Sequence, residues 1–196
     1  MAGSSAMTRA SGSGFSMIEL VVVLAILGVI SGLAIPRLNL SQYRADGAAQ
    51  QVRSVFMTAQ RTSLTRQYDV IVSVDTVQNG MRIAEDVNND GSIQTAEWKF
   101  WRPLGEGNRF SVPPVGYTTP SVTAAVIGAS LKTVDAMPSF IFHRDGSASS
   151  DGEVYVSSTH RGRTDFRVVI VARATGRTEL LRLAGSGSSA KWQVVQ

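Results

Sequence analysis

The chain has no cysteine among its 196 residues. That excludes a disulfide framework, a thiolate zinc site, an iron–sulfur site and a cysteine nucleophile. An exported protein of this composition holds itself together by packing alone. Histidine is nearly absent too, with only His143 and His160. Ser147, Ser149 and Ser158 lie near them in sequence, but no G-x-S-x-G or third triad member accompanies them. There is no G-x-x-x-x-G-K-[ST] phosphate loop, so the chain reads as a non-enzyme. Charge is sparse at 17%, whereas 43% hydrophobic residues rule out intrinsic disorder. The length suits one domain with a real core and does not comfortably fit two. No internal repeat is present.

What the chain does have is an uneven distribution of apolar residues. Residues 1–14 are small and polar with one cation, Arg9. Residues 15–35, FSMIELVVVLAILGVISGLAI, follow as a 21-residue apolar run whose only charged residue is Glu19. As a helix such a run spans about 30 Å, the thickness of bilayer hydrocarbon. A carboxylate inside that layer costs roughly 2.5–3.5 kcal/mol, so Glu19 needs a partner or a role. It could snorkel to the lipid surface. The segment could instead be a secretory signal cut after Ala34, although an acid then heads its h-region.

A third reading fits every residue. The motif Gly14-Phe15, with Glu19 four residues on and the apolar run behind it, resembles the type III signal of type IV pilins and pseudopilins. Pro36, just past the run, agrees with that family. The resemblance implies cleavage after Gly14 by a prepilin peptidase, N-methylation of Phe15, and retention of the apolar helix in the mature protein. It also implies that the ammonium of Phe15 on a neighbouring subunit neutralises Glu19 inside a helix bundle. The expected partners are other pilins or pseudopilins, the prepilin peptidase and the inner membrane. The expected location is a single-pass anchor in the bacterial inner membrane with an extracytoplasmic globular domain.

Beyond Pro36, Val52, Val55, Phe56 and Ala59 recur at helical spacing, which predicts an amphipathic helix from about Leu38 to Arg66. With the apolar run it would form one stalk bent near Pro36. From Tyr68 on, short β-rich runs predict strands at 69–75, 80–84, 97–102, 108–112, 139–143, 153–158, 165–173 and 178–183. Asp145-Gly146 and Thr175-Gly176 are turn signals. The stretch 113–136 reads as loop. Trp98 and Trp101 in EWKFWR fall on opposite strand faces, one core and one exposed, while Phe166, Val168 and Ile170 read as core. The expectation is an α+β fold with the helix packed on an antiparallel sheet. Its parts are a leader at 1–14, a filament-core helix at 15–35, the amphipathic half of the stalk at 36–67 and a β-rich domain at 68–196.

Residues 86–97, DVNNDGSIQTAE, match the twelve-residue calcium loop at every specified position. Asp86, Asn88 and Asp90 stand at positions one, three and five, Gly91 at six and Glu97 at twelve. Ser92 would offer its carbonyl, and Gln94 would bind directly or through water. An oxygen set of this kind points to Ca2+ and away from zinc. The plain alternative is a solvated turn at Asn89-Asp90-Gly91.

The excess positive charge is local. From His160 to Arg182, six arginines (Arg161, Arg163, Arg167, Arg173, Arg177 and Arg182) face only Asp165 and Glu179. The segment FIFHRDGSASSDGEVYVSS at 140–158, this basic strand and TGRTELLRL at 175–183 resemble the GspH/FimT group of minor pseudopilins. That resemblance implies a structural subunit of a type II secretion pseudopilus. The alternative is a FimT-like minor pilin binding DNA for uptake in transformation, through the six arginines. Against the alternative, Glu179 stands where such binders carry a second arginine after Gly176-Arg177. Residues 85–138 resemble nothing specific.

Overall fold

The computed structural model describes residues 15–34, 40–113, 131–185 and 190–195. The chain divides into two compact units, Met1–Asn39 and Leu40–Gln196. In the first, α1 spans Met17–Ala34. Pro36 and the join that would make one stalk lie outside the described residues, as does the whole leader.

The second unit opens with α2, Leu40–Arg66, within two residues of the span its periodicity predicts. Its inward face is mostly small: Ala45, Ala48, Ala49, Val52, Phe56 and Ala59. Alanines let the sheets approach closely, and Phe56 fills the centre. Its ring meets Phe140 edge-on at 5.1 Å and Phe142 at 5.9 Å, a geometry aromatic pairs favour.

Ten strands follow: β1 Asp69–Asp75, β2 Gly80–Asp86, β3 Trp98–Pro103, β4 Asn108–Phe110, β5 Lys132–Val134, β6 Met137–Phe142, β7 Gly152–His160, β8 Arg163–Val171, β9 Thr178–Ala184 and β10 Lys191–Val194. The fold is α+β and antiparallel throughout, but it has two sheets and not the single one expected. Their orders are β3-β2-β1-β6-β5 and β10-β9-β8-β7-β4. Alternating residues from both sheets, among them Val70, Val72, Ile83, Val154, Val156, Val169 and Leu180, share one core with α2.

Each sheet also buries part of its other face. In the first sheet Ile71, Val134 and Ile141 are covered by Ile93, so the segment after β2 folds back over the strands. In the second, Tyr155, Val168 and Ile170 pack with Leu181 and Trp192. Strands covered on two faces lose the in/out alternation of a half-exposed sheet. β1 accordingly is buried on both faces from Val70 to Asp75.

Four local differences from the sequence reading stand out. β10 pairs with β9 beyond the last strand predicted, 178–183. β5 pairs with β6 inside the stretch read as loop, whose residues 114–130 are outside the described residues. β7 and β8 run on to His160 and Arg163, closed by a two-residue turn at Arg161-Gly162 with both φ positive. Arg173 falls past the end of β8, in the turn before β9. Both expected turns form, and Gln60 of α2 holds them together, its Nε2 donating to the carbonyls of Gly146 (2.9 Å) and Thr175 (2.5 Å). Gly176 has φ +61°, and a Cβ there would collide with the Gly146 carbonyl, so the turn requires glycine.

Candidate functional site

The first α1 turn is built around Ser16 and Glu19. Ser16 Oγ accepts the backbone N–H of Glu19 at 3.2 Å, so Ser16 is the N-cap and Glu19 the third helical residue. S-x-x-E is the capping-box pattern, a signal legible in the sequence but missed there. It fixes the carboxylate at the positive end of the helix dipole. Around and behind it, Ile18, Leu20, Val21, Val22, Val23 and Leu24 are all exposed, on every side of the helix. A helix apolar all round is stable only when other helices or lipid cover it. Among the described residues, no helix is long and apolar enough to cross a membrane; the 18 residues of α1 reach about 27 Å. Phe15 is 79% exposed. Gly14 lies outside the described residues.

The loop at 86–97 brings its carboxylates onto its own backbone. Asp86 is fully buried and accepts the amides of Asp90 (3.1 Å) and Gly91 (2.7 Å). Glu97, also buried, reaches back across the loop. Its Oε1 accepts Val87 N–H and its Oε2 accepts Gln94 N–H, both at 3.1 Å. Asp90 accepts the Ser92 amide at 2.8 Å and the side-chain amides of Asn88 and Gln94 at 2.9 and 2.8 Å. The Ser92 amide is the main reason the Asp90 carboxyl titrates below its usual range. Positions one, three, five, nine and twelve thus belong to one network. Their oxygens face amides, and among the described residues no three acidic or histidine side chains converge as a metal cluster. Gly91 has φ +74°, and a Cβ on it would strike the Lys132 ammonium. A cation from β5 therefore already lies over the loop.

The six arginines do not form one surface. Arg167 is 1% exposed and correctly belongs to the core, not to a phosphate-binding face. Its Nε donates to Asp46 of α2, and its Nη1 donates to the Phe166 carbonyl at 2.8 Å. The sequence reading carries the strand on to Arg173, but that residue lies in a turn past Val171, so it shares no strand face with Arg167. Arg177 pairs with Glu179 at 3.1 Å, and Arg182 donates to Gln193 at 3.4 Å. Arg161 and Arg163 occupy one end of β8, whereas Arg173 and Arg177 lie beyond the other. Nine residues of strand separate these ends by about 27 Å.

Two further titratable groups are placed by the fold: His143, weighed in the sequence as a possible base, and Glu153, which the sequence does not single out. His143 Nδ1 is 2.7 Å from Asp69 Oδ2, an orienting pair that ties β6 to β1. Among the described residues no serine hydroxyl bonds to that histidine, since Ser147 donates to Asp145 at 2.6 Å and Ser149 accepts from Ile141 at 3.1 Å. Glu153 on β7 is 1% exposed. The Tyr155 hydroxyl donates to its Oε2, and its Oε1 has no partner among the described residues. Burial raises the Glu153 carboxyl above its ordinary range, and burial followed by this hydrogen bond raises the Tyr155 phenol.

Comparison with known proteins bears on the N-terminus. Residues 9–35 match the prokaryotic N-terminal methylation motif, so the chain carries a prepilin-type N-terminus. Among solved structures, it is similar to the minor pseudopilin EpsH from the Type 2 Secretion System of Vibrio cholerae. That match has 11% identity and a TM-score of 0.37, covering 77% of this chain and 97% of the other. No curated protein matches the chain.

Proposed function

We propose that the chain is a minor pseudopilin, a structural subunit of a type II secretion pseudopilus. Prepilin peptidase cuts after Gly14 and Phe15 is N-methylated. The apolar helix then anchors the subunit in the inner membrane, with the unit from Leu40 on outside. The observation that carries this reading is the uncovered apolar helix headed by a capped Glu19. Lipid and neighbouring helices supply the missing cover, and a neighbour's Phe15 ammonium supplies the counter-charge. The alternative role in DNA uptake is disfavoured by the buried Arg167 and by the separation of the remaining arginines. The loop at 86–97 binds calcium in this reading, through Asp86, Asn88, Asp90, Ser92, Gln94 and Glu97, once the carboxylates turn from backbone amides to the ion. Intact-mass measurement on protein from the native membrane tests the processing step. The expected mature chain starts at N-methylated Phe15; a chain starting at Ile35, or an uncut Met1, refutes it. Deleting the gene should impair secretion and leave DNA uptake intact, and the reverse outcome selects the alternative.

A further inference from the structure

A groove of about 230 Å³ runs between the outward side of α2 and the β2–β3 edge of the first sheet. Its floor is apolar, formed by Val55, Val70 and Ile83, and Phe100 stands in its wall with 43% exposure. The volume is below that of a drug-sized pocket and suits one or two large side chains. Among the described residues β3 is the edge strand of its sheet, so the groove lies along a strand that pairs on one side.

The charge around the groove is predominantly positive. Arg102 lines it, with its guanidinium 5.5 Å from the centre of the Phe100 ring. Ser54, Thr58 and Thr62 are shared with two adjoining depressions, and these hold Arg53, Arg61 and Arg66. The single carboxylate in the lining is Glu85, and it is occupied: it accepts from the Tyr68 hydroxyl and lies 3.8 Å from Arg66. Arg53, Arg61 and Arg102 form no ion pair among the described residues, and Arg53 Nε is buried without an acceptor.

We propose that this groove docks an extended segment of a partner protein, in which one large apolar side chain fills the groove and flanking carboxylates meet Arg53, Arg61 and Arg102. An apolar floor with an arginine rim fits such a segment, because the anchor gives affinity and the charges give register. A phosphate backbone uses the arginines but has nothing to place on Phe100 and Val55.

The test uses the full chain in detergent and fluorescein-labelled ten-residue peptides with a central leucine or phenylalanine. Glutamates flank the anchor in one set and lysines in the other. The glutamate peptides should bind with salt-sensitive affinity and the lysine peptides at least tenfold more weakly. Arg53→Glu with Arg61→Glu should weaken binding at least tenfold, and Phe100→Ser or Arg102→Ala several-fold, with thermal midpoints unchanged. Arg163→Glu, on the exposed β7–β8 tip, should leave binding as it was. Equal binding of both peptide sets, or no loss in the arginine variants, overturns the proposal. It also fails if an oligonucleotide binds more tightly through the same arginines, or if they drive self-association of the chain.

Discussion

Arg167, midway along β8, is buried against Asp46 in the second turn of α2, 121 residues away in sequence. One turn earlier, Ser41 donates to Asp165 at 2.5 Å. The two bonds fasten the start of α2 to alternate residues of one strand. The apolar contacts beside them come from Ala45, Ala48 and Ala49, which are nearly featureless and resist sliding poorly. A directional charge pair fixes the register that such a smooth face leaves open.

Removing one partner should therefore cost more than an ordinary surface pair. Asp46→Ala leaves a buried guanidinium without its counter-charge. We expect a loss of roughly 3 kcal/mol, the low end for a buried pair, because Asp46 is 36% exposed. At this chain length that lowers Tm by about 6–12 °C. Asp46→Ala combined with Arg167→Met should recover most of the loss, because the uncompensated charge is gone. Thermal unfolding of both variants measures it, and equal loss in the two would contradict the argument.

The helices were legible because their patterns are long. α2 has an apolar stripe over 27 residues, and α1 is nearly unbroken in its hydrophobicity. Eight of the ten strand spans were legible from their β-rich composition, β5 and the four-residue β10 being too short, but the division into two sheets was not. A period of two tells which side chains share a face and says nothing about which strand lies next door. β5 was missed because three residues, Lys132–Val134, carry no measurable period. Arg167 was misplaced because arginines in a strand usually mark the wet side. Its parity with Val169 and Val171, both inward, was the available clue, and only the fold could supply Asp46. The acidic loop was legible in full as spacing, while its cover, Ile93 on Ile71, and its cation, Lys132, are tertiary facts.

Ser16 and Glu19 have separable roles. Ser16→Ala removes the N-cap and should cost α1 about 1 kcal/mol, without changing the charge. Glu19→Ala removes a carboxylate from the apolar segment and should leave membrane insertion intact or ease it. Filament incorporation should fall sharply in Glu19→Ala and only mildly in Ser16→Ala. Membrane fractionation and pull-down of co-assembled subunits read the two steps separately. Normal assembly of Glu19→Ala would remove the counter-charge argument.

Calcium should bind the loop weakly, with Kd on the order of 10⁻⁴–10⁻³ M as in extracellular modules. At about 100 times Kd the ion stabilises the protein by roughly 2.7 kcal/mol, which a melt in calcium against chelator resolves. Asp90→Asn should weaken the shift without abolishing it, since an amide oxygen can still serve at position five and still accept the Ser92 N–H. Asp86→Ala and Glu97→Ala should abolish it, but each also deprives two backbone amides of an acceptor. Lys132→Met takes away the competing ammonium and should tighten calcium binding. No calcium-dependent shift in the wild-type chain leaves a solvated turn as the account of this loop.

Glu153 makes stability depend on pH in a direction opposite to that of a salt-bridged acid. Its carboxyl is raised by burial, so the folded state holds the proton more tightly than the unfolded chain does. Its contribution is fully present below the unfolded carboxyl value of about 4.3 and is lost as pH rises through the folded one. Across that interval the unfolding free energy should decline with pH. Glu153→Gln keeps an oxygen to accept the Tyr155 hydroxyl but cannot ionise, so the decline should flatten. At neutral pH the variant should equal or exceed the parent in stability. Tyr155→Phe removes the hydrogen bond that favours the charged form and should extend the decline to higher pH. Denaturant unfolding from about pH 4 to pH 8 measures all three proteins. A parent whose stability rises steadily over that range, unchanged by Glu153→Gln, would show that this carboxylate is solvated and paired in the folded protein.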